Sequence, residues 1–215
     1  MKNRMLEMYE LQNTLNINTN GKDWTKGITN QHRLIEWYRC MYMEAAEAID
    51  SLNWKHWKDI NSKDDLENVK VELVDIWHFL MSQHIVECGN TEIAYNECYL
   101  YYEIHKKRDK KIPLIQALEN IIKNSSSYNL PIEDFFMAVD EIENFGMEKI
   151  YTLYIGKNCL NQFRQDNGYK DGTYIKMWNG LEDNVHMQQI LEYRPNISFD
   201  ELYVDLSTLY TKLTK

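Results

Sequence analysis

Two stretches of this chain, residues 31–52 and 65–87, carry apolar side chains at steps of three and four, and that period limits the fold more than any other feature. Leu34, Tyr38, Met41, Ala45, Ala48, Ile49 and Leu52 recur this way in the first stretch. Leu66, Val69, Leu73, Ile76, Trp77, Leu80 and Met81 do so in the second. A repeat near 3.6 residues lines these side chains along one face of an α-helix and does not fit the alternation of a strand. Only 3 Pro and 8 Gly occur in 215 residues, too few for the tight turns of a small all-β domain. An apolar share of 44% is enough for a sizeable core. Weaker helical patterns cover 1–17, 92–106, 114–123, 131–146, 150–165 and the tail from Asn184 to Lys215. The expectation is an all-α chain, one helical domain over 1–215, with 88–150 a candidate smaller helical subregion that carries no motif of its own.

A formal charge of −9 argues against a nucleic-acid binder, which needs a basic face to neutralise phosphates. It leaves room for a single nucleotide, held by a few local cations and a metal. Cys40, Cys88, Cys98 and Cys159 show no CxxC spacing and read as reduced thiols. No apolar run reaches the about 20 residues of a membrane span, and Met1 to Glu10 lacks the apolar segment of a signal peptide. A cytoplasmic protein without membrane partners is expected.

The chemistry-bearing signal is a duplicated carboxylate pair. Glu44 and Glu47 lie on the first strong helix and Glu72 and Asp75 on the second, each pair at i, i+3 and the pairs 28 residues apart. That spacing puts both acids of a pair on one side of a helix. An acidic pair at helical spacing is ordinarily a solvated face. Here, however, Trp37 and Cys40 share the stripe of Glu44 and Glu47, as Phe79 and Val86 share that of Glu72 and Asp75. Stripes that mix acids with bulky apolar groups do not face bulk water alone. Two neighbouring helices would then bring four carboxylates together, a set of hard oxygen ligands suited to Mg²⁺ or Mn²⁺.

A basic concentration follows near the C-terminal third. Lys157, Asn161 and Arg164 fall at i, i+4, i+7, and Lys170 and Lys176 lie in the glycine-containing loop after them. Alone this is an ordinary exposed basic face. Beside four acids it suggests a phosphate chain bridging cations. No P-loop pattern is present. Gln12 and Asn16, one helical turn apart, offer amides that can donate and accept toward a pyrimidine edge, and Trp57 and Phe79 could stack on its ring. Taken singly, each of these is better read as a capping or core residue.

Three runs carry a resemblance: Glu44-Ala-Ala-Glu47, Asn53-Trp-Lys-His-Trp-Lys58 and Glu72-Leu-Val-Asp75-Ile-Trp-His-Phe79. Gly156-Lys-Asn-Cys-Leu-Asn-Gln-Phe-Arg164 and the stretch from Asn167 to Asn184 extend it. Together they resemble the dimeric, all-helical dUTPases. The two acidic pairs alone would indicate only the wider all-α NTP pyrophosphatase superfamily, including MazG-like enzymes, which is the alternative reading. The resemblance implies a helical bundle of that type with a four-helix metal-site core. It implies Mg²⁺-dependent hydrolysis of dUTP, and of dUDP, to dUMP, with pyrophosphate released from dUTP, limiting uracil incorporation into DNA. Glu44, Glu47, Glu72 and Asp75 would hold two or three Mg²⁺ ions, or Mn²⁺ in their place, with Glu44 or Glu47 as the general base. Lys58, Lys157, Asn161, Arg164, Lys170, Lys176 and Asn184 would contact phosphates, and Gln12, Asn16, Trp57 and Phe79 would line the base and sugar pocket. A homodimer is also implied. Leu181 departs from the polar residue common in the family, at a place outside the core chemistry.

Overall fold

The computed structural model describes residues 1–108, 111–195 and 197–214. Among these it holds nine α-helices and one two-stranded hairpin, so the all-α expectation holds. The chain divides into two compact units, Met1–Ile150 and Tyr151–Lys215. Parts of the predicted tail helix and of the 88–150 segment fall on Asp109, Lys110, Asn196 and Lys215, which lie outside the described residues.

The first unit contains α1 (Lys2–Asn20), a 3₁₀ turn at Trp24–Lys26, α2 (Trp37–Asp50), α3 (Leu66–Cys88), α4 (Thr91–His105), α5 (Leu114–Ser126) and α6 (Ile132–Asp140). α2 packs chiefly on α3 and α5, while α3 also meets α1, α4 and α6. The predicted stripes supply the core: Met41, Ala45 and Ala48 of α2 and Val69, Leu73, Ile76, Trp77 and Leu80 of α3 are fully buried. Trp77 stacks on Phe135 of α6, with ring centroids 4.9 Å apart, and takes the edge of Tyr9 from α1. A fully buried ring of that size contributes about 3–5 kcal/mol to the fold. Helices α4, α5 and α6 thus pack on α1, α2 and α3 within this unit.

The structure shortens two of the predicted helices. α2 begins at Trp37 rather than near Gln31, and Leu34 is 76% exposed. The backbone before it closes on itself instead: Thr29 N–H donates to Arg33 O and Ile35 N–H to Gly27 O, with His32 in the left-handed region. Those bonds satisfy groups that a helix would otherwise have to satisfy. α6 ends at Asp140, and Gly146 opens α7 (Gly146–Asp166) instead of closing α6.

Local chemistry sets the ends of α3. The Asp65 carboxylate accepts from Asn68 N–H at its start, and Gly89, at φ 64°, closes its end. Asn90 then caps α4 by accepting from Glu92 and Ile93 N–H. Two residues therefore turn the chain from one helix into the next.

The second unit holds the rest of α7, the hairpin β1 (Met177–Trp178) and β2 (Leu181–Glu182), α8 (Asp183–Tyr193) and α9 (Phe199–Leu213). The predicted tail is thus two helices. Pro195, which lacks an amide proton, falls in the break, and a Ser198–Glu201 capping box starts α9. Asn179 and Gly180 both have positive φ, the signature of the two-residue turn that suits a twisted hairpin. Cys159, Leu160 and Phe163 of α7 bury against Trp178, Met187, Leu191, Leu202 and Leu206. Gly156 lets α8 come close here: a Cβ at that position would sit 2.5 Å from Leu191 Cδ1, and the leucine side chain would have to shift. Among the described residues no helix is long and apolar enough to cross a membrane.

Candidate functional site

Glu44 on α2 meets Glu72 and Asp75 on α3, with one carboxylate oxygen from each within 4.8 Å of the others. The small, buried Ala45 and Ala48 beside Glu44 let the two helices approach. Glu72 is buried, and its Oε1 accepts from Asn68 Nδ2 at 3.0 Å. Asn68 donates as well to Ser51 Oγ at 2.8 Å. The acid is therefore oriented before any ligand arrives. Burial, followed by the charges of Asp75 and Glu72, pushes the Glu44 carboxyl up to about 8. Glu47 stays exposed one turn away, outside this trio, but its charge adds to the same effect.

This arrangement fits a hard divalent cation. The donors are all carboxylate oxygens at a separation one ion can span, and the mutual repulsion that raises Glu44 is what a cation would relieve.

Gln12 and Asn16 of α1 are buried within a hydrogen-bonded network. Gln12 Nε2 donates to Ser82 Oγ at 3.0 Å, and Asn16 Nδ2 donates to the same hydroxyl at 2.8 Å. Gln12 Oε1 lies 2.7 Å from His78 Nδ1, and Ser82 donates back to His78 O. The amide orientations are thus set by α3. Phe79 stacks on Trp37 at 5.9 Å, and Trp24 meets Trp37 edge-on. The Trp37 indole N–H is buried with no acceptor among the described residues. Trp57 lies apart, 65% exposed on the loop after α2, packed against Trp54 and His56. Lys58 is exposed on the same loop.

In the second unit, α7 does place Lys157, Asn161 and Arg164 along one stripe, with Lys157 and Arg164 buried and Asn161 half-buried. Arg164 Nε and Nη2 donate to Asp183 Oδ2 and Oδ1 at 2.8 and 2.7 Å, and Nη1 donates to Asn161 Oδ1 at 3.3 Å. Tyr174 donates to Asp183 Oδ2 at 2.8 Å. Burial disfavours the Asp183 carboxylate, yet the bonds from Arg164, Tyr174 and the Asn184 amide outweigh it and hold its pKa below the ordinary value. Lys170 is exposed, and Lys176 pairs with Glu182 at 3.1 Å. Asn184 has a buried side-chain oxygen with no partner among the described residues.

Sequence reasoning gave no role to several of the residues that hold these groups in place: Asn68, His78, Ser82 and Asp183. Asn68 stands four residues before Glu72, and His78 and Ser82 share a helical turn, so local spacing held a faint signal. Asp183 pairs with Arg164 across 19 positions, and no local pattern announces that.

Comparison with known proteins gives two findings. A family model described as dUTPase matches residues 4–169, which takes in the acid trio, the amide network and the α7 stripe but stops before Lys170, Lys176 and Asn184. Among curated proteins the comparison finds no match.

Proposed function

The chain belongs to the all-helical dUTPase family, a hydrolase family acting on dUTP, and from that premise we propose that it converts dUTP, and also dUDP, to dUMP with Mg²⁺ held by Glu44, Glu47, Glu72 and Asp75. Pyrophosphate is the second product from dUTP, and the cellular effect is to limit uracil in DNA. Convergence of Glu44, Glu72 and Asp75 within 4.8 Å carries this reading.

Two or three Mg²⁺ ions, or Mn²⁺ in their place, would supply charge neutralisation of the polyphosphate and a more acidic water. The chain's own residues do the rest. Asn68 holds Glu72 in its ligating orientation. A proton from the attacking water passes to Glu44 or Glu47, and Glu47 is the acid whose oxygens lie outside the trio. Lys58, Lys157, Asn161, Lys170, Lys176 and Asn184 are assigned to phosphate oxygens. Arg164 joins them through the guanidinium N–H groups that Asp183 and Asn161 do not take, since the carboxylate accepts one bond from Nε and one from Nη2.

Gln12 and Asn16 read the pyrimidine edge, with Phe79 and Trp57 lining the base and sugar. Because Ser82 and His78 fix both amides, they cannot reverse cheaply to suit cytosine, whose exocyclic amine inverts the uracil pattern. A reversed hydrogen bond in a dry pocket discriminates by about 10⁴, whereas one methyl against a wall gives about 10². A cytoplasmic homodimer completes the proposal, and the exposed Ile93, Leu100 and Ile104 of α4 offer it apolar surface.

The test is pyrophosphate release from dUTP, dCTP and dTTP, each with and without Mg²⁺. Expected are a strict metal requirement and a stronger rejection of dCTP than of dTTP. Comparable rates on dUTP and dCTP would overturn the Gln12 and Asn16 assignment. Faster turnover of a different nucleotide would favour the MazG-like alternative.

A further inference from the structure

A second ligand-bearing cluster lies on α3 and α4, apart from the acid trio. His84 and Cys88 stand one turn apart on the last part of α3, and the Gly89-Asn90 turn brings Glu97 of α4 against both. His84 Nε2, Cys88 Sγ and a Glu97 oxygen all lie within 4.8 Å of one another. Glu97 Oε2 is 3.4 Å from His84 Nε2 and 3.3 Å from Cys88 Sγ. Tetrahedral Zn²⁺, with bonds of about 2.0 Å to N and O and about 2.3 Å to S, sets ligand separations of roughly 3.4 Å for N to O and roughly 3.6 Å for S to O. The observed spacings need only small adjustment to match.

The surroundings prepare the histidine. His84 is 97% buried by its side chain's 3% exposure, and burial lowers its pKa, so the imidazole is neutral and able to ligate. Its Nδ1 lies 2.9 Å from the Tyr9 hydroxyl, and that hydroxyl is also bonded to Cys98. The Tyr9 contact at Nδ1 orients the ring so that Nε2 faces Cys88 and Glu97. A ring held through its other nitrogen in this way is what metal-binding histidines use. A cavity of about 320 Å³ opens at the cluster, lined by His84, Glu87, Cys88, Glu97, Tyr101 and Glu133 among others.

We propose that His84, Cys88 and Glu97 form a site for a borderline-soft divalent cation of the Zn²⁺ class, with its fourth position open to this cavity. A thiolate and an imidazole distinguish it from the all-carboxylate trio, which suits harder ions. The site is also spatially separate, since Asp75 and His84 are nine residues apart on α3, roughly 13 Å along its axis. Burial, and then the Glu97 carboxylate, push the Cys88 thiol up to about 11. Cation uptake therefore forms the metal–sulfur bond, breaks S–H and releases one proton to solvent. The bound ion would tie the end of α3 to α4.

Titration of the chelator-stripped full chain with Co²⁺ tests this, because cobalt bound to a thiolate gives a charge-transfer absorption that carboxylate ligands do not produce. One equivalent should bind with that band and with the intense visible bands of a tetrahedral ion, and Zn²⁺ should displace it. Cys88→Ser should abolish the charge-transfer band, Glu97→Gln should weaken binding at least tenfold, and Glu72→Gln should leave the band unchanged. Circular dichroism checks that each variant is folded. A wild-type protein with no charge-transfer band, or a band that survives in Cys88→Ser, would overturn the proposal.

Discussion

Glu44, Glu72 and Asp75 gather three carboxyl groups at one place, whereas Arg164 and Asp183 gather opposite charges and satisfy them with two parallel bonds, a tyrosine hydroxyl and a backbone amide. In the first cluster a carboxyl is pushed toward neutrality, and in the second a carboxyl is held more acidic despite its burial. The contrast separates two uses of charge that look alike in a sequence. A self-balanced pair stabilises its own surroundings. A cluster of one sign costs stability and is explained by a counter-charge that comes from outside the side chains composing it.

The sharpest way to test that contrast is Glu72→Gln. The amide keeps the size of the side chain but removes the negative charge of a carboxylate held in place by Asn68. Turnover of dUTP should fall by roughly 10³-fold, the scale of losing one preorganised electrostatic contact, while thermal stability of the metal-free protein should hold or rise, because one repelling charge is gone. Rates within threefold of wild type would remove the acid trio from the chemistry.

In the second cluster the order of effects should invert. Arg164→Met leaves Asp183, whose side chain is fully buried, without its main counter-charge, and removal of one partner from a buried pair costs about 3–5 kcal/mol. Urea unfolding followed by circular dichroism measures this. Asp183→Leu combined with Arg164→Met should cost much less than the two single changes added together, since neither charge is then stranded. Additive losses would mean that the pair is not the source of stability in this region.

The same contrast explains what could be read in the sequence. Helical period is local, so the stripes of α2 and α3 and the spacing of the acids were legible, and the core residues Met41, Ala45, Leu73 and Trp77 followed from them. Which acids converge depends on how two helices pack, and the i, i+3 rule does not separate Glu44 from Glu47. The lock on Gln12 and Asn16 joins residues 66 to 70 positions apart through Ser82, a residue that reads in sequence as a polar interruption of an apolar face. The hairpin at 177–182 was a different kind of miss. The Asn179-Gly180 dipeptide is a strong turn signal, but strands of two residues give periodicity nothing to register. The start of α2 was misplaced because the turn at 28–34 competes for backbone bonds that apolar spacing alone does not reveal.

The smallest expected effect concerns protons. With its carboxyl raised from the ordinary 4.5 to about 8, Glu44 keeps a proton in the folded, metal-free protein that the unfolded chain has already released. The folded state therefore binds more protons across that window, and stability should decline as pH rises from about 4.5 to about 8 and level off beyond it. Glu44 is only partly buried, so water screens part of the repulsion and moderates the slope. Glu44→Gln should flatten it, because the amide has no proton to lose. Saturating Mg²⁺ should shrink or reverse it in the wild-type protein, since ligating carboxylates must be ionised and the ion rewards their ionisation. Melting temperatures measured across this range, in chelator and in Mg²⁺, give the four curves needed. Equal slopes in the wild-type and Glu44→Gln proteins in chelator would show that the proton sits elsewhere, and the repulsion assigned to the trio would then have to come from a different group.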